Sequence, residues 1–239
     1  MVILPSLAYS AAEEASMPIR PLLLVIIGDS TVCNYPADRP DRGWGQFIEE
    51  RFKDDTVKVI NLAAPGRSTK TFIQEGRWQT ALEEKPDYVL IQFGHNDSHA
   101  PGKPEATDAA KDYQDYLRRY IDESRAMGAT PILVTPMVRR TFDDGGKITE
   151  NQPPPNRSLL SYVNAMKEVG SERKVAVIDL HTSSQVLVEK LGPEASNQFA
   201  NKSGDNTHFN EKGARAMADL VVKELPIAET RLKSLLKTH

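Results

Sequence analysis

Leu22-Leu23-Leu24-Val25-Ile26-Ile27 runs without a break into Gly28-Asp29-Ser30-Thr31. An apolar run of this length reads as a buried strand, and it stops at a serine flanked by a glycine and a carboxylate. Further along the chain, apolar runs of strand length alternate with segments of helical period. This pattern argues for an α/β fold, a parallel sheet with helices on both faces. Strands are expected near 22 to 27, 57 to 62, 87 to 93, 130 to 134 and 174 to 178.

Between the third and fourth strands, Ala109, Ala110, Tyr113, Tyr116, Leu117, Tyr120, Ile121 and Met127 recur at helical spacing. Thr107 is the expected cap at the start of this helix and Gly128 the expected end. Shorter helices fit Trp44 to Phe52, Arg77 to Glu83, Asn156 to Val169 and His181 to Leu191. Asn210 can cap a last core helix through Ala214, Met217, Ala218, Val221 and Val222, with a further helix after Pro226. The stretch Pro136 to Pro155, with Gly145-Gly146 and three consecutive prolines, is expected to be a long surface loop.

The 239 residues (26.6 kDa) suffice for one sizeable core, and no interior stretch reads as a linker, so residues 18–239 are expected to form a single domain. Residues 1–17 have a short apolar part and small residues around Ala8, Ser10 and Ala11, but no basic start. They read as the end of a signal peptide or as a disordered tail, with the first preferred. Export to a secreted or periplasmic location is the corresponding expectation. No run approaches the roughly 18 apolar residues that span a bilayer.

Thirty-three acidic against 30 basic residues, with a net charge of -3, give no general attraction to nucleic acid or to an anionic membrane. The only cysteine, Cys33, cannot form an internal disulfide and reads as a small buried residue rather than a second nucleophile.

A serine hydroxyl is nearly inert at neutral pH; it needs an imidazole to take its proton and a carboxylate to fix the imidazole's tautomer. In Asp205-Asn206-Thr207-His208 an acid and an imidazole stand three apart, a spacing that brings both side chains to one side of a turn. Ser30, His208 and Asp205 are therefore the candidate nucleophile, base and orienting acid. The order Ser, Asp, His also occurs in α/β-hydrolases, but their G-x-S-x-G elbow is absent from this sequence.

Ligands of an open parallel sheet bind at the carboxyl ends of its strands. Ser30 follows the first strand, Asn61 to Ser68 the second and Gly94-His95-Asn96-Asp97 the third, so all can face one crevice with His208. An oxyanion there would find donors in the backbone N–H groups of Ser30 and Gly66 and the side-chain amide of Asn96.

These four blocks, Ser30, Gly66, Asn96 and His208 in order, resemble the SGNH hydrolases, a branch of the GDSL esterases. The resemblance spans Ile26 to about Ala214. It implies a flavodoxin-like three-layer α/β/α sandwich with a five-stranded parallel sheet. By that resemblance Ser30 is the nucleophile, Ser30, Gly66 and Asn96 form the oxyanion hole, and His208 with Asp205 completes the triad, with no metal or organic cofactor. One departure is Pro65, where many members carry another glycine; it leaves the Gly66 N–H in place and stiffens the approach to it.

Within the superfamily, Gly66-Arg67-Ser68, Phe72-Ile73, Glu75-Gly76-Arg77-Trp78, Gly94 to Asp97 and the Gly43-Trp44-Gly45 triplet look like the rhamnogalacturonan acetylesterase group. The expected partner is an acetylated polysaccharide of the plant cell wall. Alternatives are a xylan or oligosaccharide acetylesterase, a GDSL lipase or thioesterase, and a carbohydrate-binding protein without turnover.

Arg67, Lys70, Arg77, Arg139 and Arg140 are candidate partners for uronate carboxylates, or else members of local ion pairs. Trp44 and Trp78 could stack on sugar rings, although large aromatics more often fill the core. His95, Asp97 and His99 would make a metal cluster only if this stretch were helical, which a glycine just after a strand opposes. His181 reads as a packing or capping residue.

Overall fold

The computed structural model describes residues 20–149 and 158–237. The apolar run is strand β1 (Leu22–Gly28), which pairs in parallel with β2 (Val57–Asn61) on one side and β3 (Tyr88–Gln92) on the other. With β4 (Thr130–Val134) and β5 (Val177–Ile178) the sheet has five parallel strands in the order β2-β1-β3-β4-β5. This is the flavodoxin-like, doubly wound order.

A strand covered on both faces must be apolar at every position, which is why β1 reads as a continuous hydrophobic run. Leu24 and Ile26 join Leu90, Ile132 and Val134 in the core on one side. Helix α6 (Glu211–Ala228) covers that face through Ala214, Met217, Ala218 and Val221. Val25 and Ile27 join Val89, Ile91 and Leu133 on the other side. There they meet α1 (Thr69–Gln74), α2 (Arg77–Glu83), α3 (Asp112–Ala126) and α4 (Leu160–Arg173). Helix α5 (Leu180–Asn197) and the short α7 (Thr230–Lys233) complete the set.

Several boundaries differ from the sequence reading. Helix α3 starts at Asp112, not after Thr107, whose hydroxyl instead donates to the buried carboxylate of Asp97 at 3.0 Å. Trp44 to Phe52 forms two 3-10 turns (Trp44–Phe47 and Glu49–Arg51), because Gly43 and Gly45 pack their backbones against the segment after Ser30. A Cβ on Gly43 would lie 2.3 Å from the Cys33 carbonyl oxygen.

Helix α1 has no counterpart in the sequence reading; Ser68 caps it by accepting from the Thr71 N–H. Helix α5 runs on past Leu191 across a kink at Gly192 and Pro193, and Pro226 lies inside α6. Asn210 caps α6, accepting from the Gly213 N–H at 3.0 Å.

The chain leaving β4 also departs from expectation. Pro136 to Arg140 are buried, and only beyond them does it turn over the surface, closed by a bridge between Phe142 and Ile148. The remainder of the expected loop, from residue 150 to 155, lies outside the described residues, as do residues 1–17 and His239.

Candidate active site

β1 and β3 deliver Ser30 and Asn96 to the same end of the sheet, the loop after β2 brings Gly66 there, and the loop before α6 brings Asp205 and His208. All five line one open cavity of about 630 Å³. The Ser30 Oγ lies 3.0 Å from His208 Nε2, and His208 Nδ1 lies 3.0 Å from Asp205 Oδ2. The other Asp205 oxygen accepts the backbone N–H groups of Thr207 (2.9 Å) and His208 (2.8 Å), which locks the carboxylate in its turn. Burial works against the charge on Asp205, but those two N–H groups and the imidazole hold its carboxyl below the usual range.

The N–H groups of Ser30 and Gly66 donate to no protein acceptor among the described residues. Asn96 gives one amide hydrogen to the Arg67 carbonyl (2.9 Å) and keeps the second for the cavity. Gly66 adopts φ +78°, a left-handed conformation that glycine takes without strain, so Pro65 leaves the turn intact.

The turn that carries Ser30 rests on a polar cluster. Asp29 is fully buried and accepts from the Thr31 N–H and Thr31 Oγ1 (both 2.8 Å), with His95 Nδ1 at 3.3 Å. Burial would raise the Asp29 carboxyl, yet His95 and Thr31 bring it below its ordinary value. Gln92 joins this cluster to Trp44, whose Nε1–H donates to Gln92 Oε1 at 2.9 Å. Tyr35 donates its hydroxyl to the Ser30 carbonyl at 2.9 Å.

Other candidates are placed elsewhere. Trp44 and Trp78 are buried, and Trp78 Nε1–H donates to Glu123 at 2.6 Å, so both are core anchors and not sugar platforms. Arg67 and Arg77 both pair with Glu75, at 2.9 and 2.7 Å, and Lys70 donates to the Ala106 carbonyl at 2.8 Å. Arg139 is buried against the His95 carbonyl and Ser98, and Arg140 is buried behind the Asp205 turn.

The cations that do line the cavity are Arg39 and Lys202, neither singled out in the sequence. Arg39 binds Asp41 through Nε and Nη2 (3.1 and 2.8 Å). Lys202 has no ion-pair partner among the described residues. Both sit in irregular segments without periodicity, where sequence offers no signal.

His95 and His99 face separate carboxylates, Asp29 and Glu105, and the described residues contain no cluster of three or more metal-ligating side chains. His181 is buried with Nδ1 3.1 Å from the Pro136 carbonyl. Cys33 is buried, and burial pushes its thiol up to about 11, out of the nucleophilic range. No described helix is long and apolar enough to cross a membrane.

A serine, an imidazole and a carboxylate in hydrogen-bonded series, at the strand ends of a doubly wound sheet, form the arrangement found in hydrolases of the serine type. Residues 26–216 match the GDSL-like Lipase/Acylhydrolase family, and the chain belongs to that family.

Among its relatives, the rhamnogalacturonan acetylesterase RhgT of Bacillus subtilis (strain 168) is 38% identical over 85% of this chain and 89% of its own length. The probable rhamnogalacturonan acetylesterase YesY of the same organism is also 38% identical, over 88% of this chain and 97% of its own length. Among solved structures, the YxiM protein of Bacillus subtilis superposes with a TM-score of 0.73 at 28% identity, covering 88% of this chain and 57% of that protein.

Proposed function

We propose that this chain is a carbohydrate acetylesterase acting on acetylated rhamnogalacturonan, with Ser30 as nucleophile, His208 as general base and then acid, and Asp205 as the residue that orients it. In this reading Ser30 Oγ attacks the acetyl carbonyl carbon while His208 Nε2 takes its proton. The developing oxyanion receives the N–H groups of Ser30 and Gly66 and the free Asn96 amide hydrogen. The imidazolium then protonates the departing sugar oxygen, leaving an acetyl ester on Ser30. Water, deprotonated by the same imidazole, hydrolyses that ester and releases acetate.

The observation that carries this reading is the unbroken series Ser30 Oγ, His208 and Asp205, each step 3.0 Å, opening onto a cavity with Gly66 and Asn96 in its wall. Two further features support a sugar substrate over an acyl lipid. Apart from Tyr35, Pro36 and Pro65, the lining side chains are polar or charged, which suits hydroxyl-rich rings better than an alkyl chain. Lys202, without an ion-pair partner among the described residues, offers a positive charge to a uronate carboxylate, and Arg39, paired with Asp41, lines the same cavity. Identity at 38% to two proteins named as rhamnogalacturonan acetylesterases, one of them as probable, supports the pectic polymer in particular. A polymer outside the cell implies export, and a role in pectin degradation follows from the substrate.

The test is acetate release from acetylated rhamnogalacturonan beside acetylated xylan, with Ser30→Ala as the blank. Preferential release from the pectic polymer, abolished by the substitution, is expected. Equal or greater release from xylan would discard the pectin assignment, and release that survives Ser30→Ala would discard the mechanism.

A further inference from the structure

Arg140 is a charged side chain with only 4% of its surface exposed, and the hydrolytic steps above do not use it. Its Nη2 donates to two main-chain carbonyls, those of Asp205 (2.9 Å) and His208 (2.8 Å). Its own backbone N–H donates to the Asn206 carbonyl at 2.8 Å, and its guanidinium lies over the Phe209 ring, 4.6 Å from the centroid. The next residue, Thr141, accepts the Asn206 side-chain amide at 2.6 Å. One short segment at the exit of β4 thus holds the Asp205 to Phe209 turn from behind.

A staple would need only the Nη2 contacts. Arg140 also buries Nε and Nη1, and neither has a hydrogen-bond partner among the described residues. Orphaned buried donors on a charged group destabilise a fold, so their presence calls for an explanation beyond holding a turn. The charge itself supplies one.

We infer that Arg140 is a positioning residue for hydrolysis, fixing the Asp205–His208 turn through its carbonyls and setting a permanent positive charge beside Asp205. The inference rests on the role proposed above for His208. Burial pushes the guanidinium down to about 10, with Asp205 opposing the fall, so it stays charged at neutral pH. The charged groups around His208 are Asp205 on its own turn, Asp41 with its partner Arg39 on the segment after β1, Lys202 on the cavity wall, and Arg140. A fixed cation favours the ionised Asp205, whose second oxygen faces His208 Nδ1 at 3.0 Å.

The experiment compares Arg140→Met and Arg140→Lys with the unaltered protein in two readouts: kcat and KM on 4-nitrophenyl acetate, and the backbone amide NMR shifts of Asp205 to Phe209. Arg140→Met is expected to lower kcat about 10- to 100-fold with KM within about twofold, as misplacement of a reacting group does. It should also displace the amide shifts of Asp205 to Phe209, the turn whose carbonyls Arg140 holds. Arg140→Lys is expected to lose only part of kcat, because the charge stays but one ammonium does not reproduce the planar donor pair.

A loss carried by KM, or amide shifts of Asp205 to Phe209 that do not move in Arg140→Met, would overturn the inference. Should Arg140→Met fail to fold, Arg140→Lys decides the question: full kcat there would refute the clamp. The NMR shifts need no turnover, so they separate failure of this inference from failure of the esterase reading, which Ser30→Ala tests.

Discussion

Replacing Asp205 by asparagine tests the role of the acid while leaving its turn nearly untouched. One carboxylate oxygen accepts the N–H groups of Thr207 and His208, and an amide oxygen can keep both bonds. The other oxygen faces His208 Nδ1 at 3.0 Å, and there the new NH2 group presents a donor where an acceptor stood. To avoid two facing donors the imidazole must place its proton on Nε2, the nitrogen that faces Ser30 Oγ at 3.0 Å. A protonated Nε2 cannot take the serine proton.

The same tautomer reversal in serine proteases lowers kcat about 10⁴-fold, which corresponds to about 5 kcal/mol of barrier. Stability should hardly change, since the substitution swaps one contact and conserves two. The expected result is therefore a loss of about four decades in kcat on 4-nitrophenyl acetate, with the thermal midpoint within a few degrees of the unaltered protein. Asp205→Ala is expected to lose as much activity and also to destabilise the fold by about 1 to 3 kcal/mol, because the two backbone N–H groups lose their acceptor. Activity of Asp205→Asn within tenfold of the unaltered protein would refute the assignment of the orienting acid.

Asn96→Ala should reduce kcat about 10²- to 10³-fold with a smaller change in KM, the loss expected of one oxyanion donor; an effect confined to KM would make Asn96 a binding residue instead. Lys202→Glu should raise KM about fivefold or more for acetylated uronate-containing oligosaccharides and leave 4-nitrophenyl acetate unaffected, so equal effects on both substrates would count against a carboxylate contact.

Burial pushes the Asp97 carboxyl up to about 7 against the pull of the Thr69 and Thr107 hydroxyls. Its contribution to stability is thus complete below the unfolded value near 4 and fades as pH rises through about 7. Asp97→Asn cannot ionise, so its stability relative to the unaltered protein should improve between pH 5 and pH 8. Urea unfolding at the two pH values checks this, and a constant difference would contradict it.

The elements legible in the sequence are those whose physics is local. β1 could be read because a strand covered on both faces needs six apolar residues in a row, and α6 because Asn210 caps it and its apolar stripe faces one layer. The pairing of Asp205 with His208 could be read because both lie in one turn. The start of α3 was misplaced for the opposite reason. Thr107 has the chemistry of a helix cap, but its hydroxyl is claimed by Asp97, ten residues earlier in the chain and held in place by β3. Pro136 to Arg140 read as surface because they open a stretch with Gly145-Gly146 and three consecutive prolines, whereas in the structure they follow β4 into the interior.

Arg140 marks where such reading ends. Nothing in Met137-Val138-Arg139-Arg140 separates an arginine facing solvent from one facing the carbonyls of residues 65 and 68 positions further along. The chemistry of a guanidinium left Arg140 as either a substrate-facing cation or a member of local ion pairs, and the fold places it at the back of the site. The cations facing the cavity are Arg39 and Lys202, on two irregular segments that flank it. The residues proposed to break the bond therefore come from motifs, while those proposed to choose the substrate and hold the base in place come from tertiary placement. Relatives that keep Ser30, Asp205 and His208 but differ around positions 39 and 202 should then share the chemistry and differ in the sugar they accept.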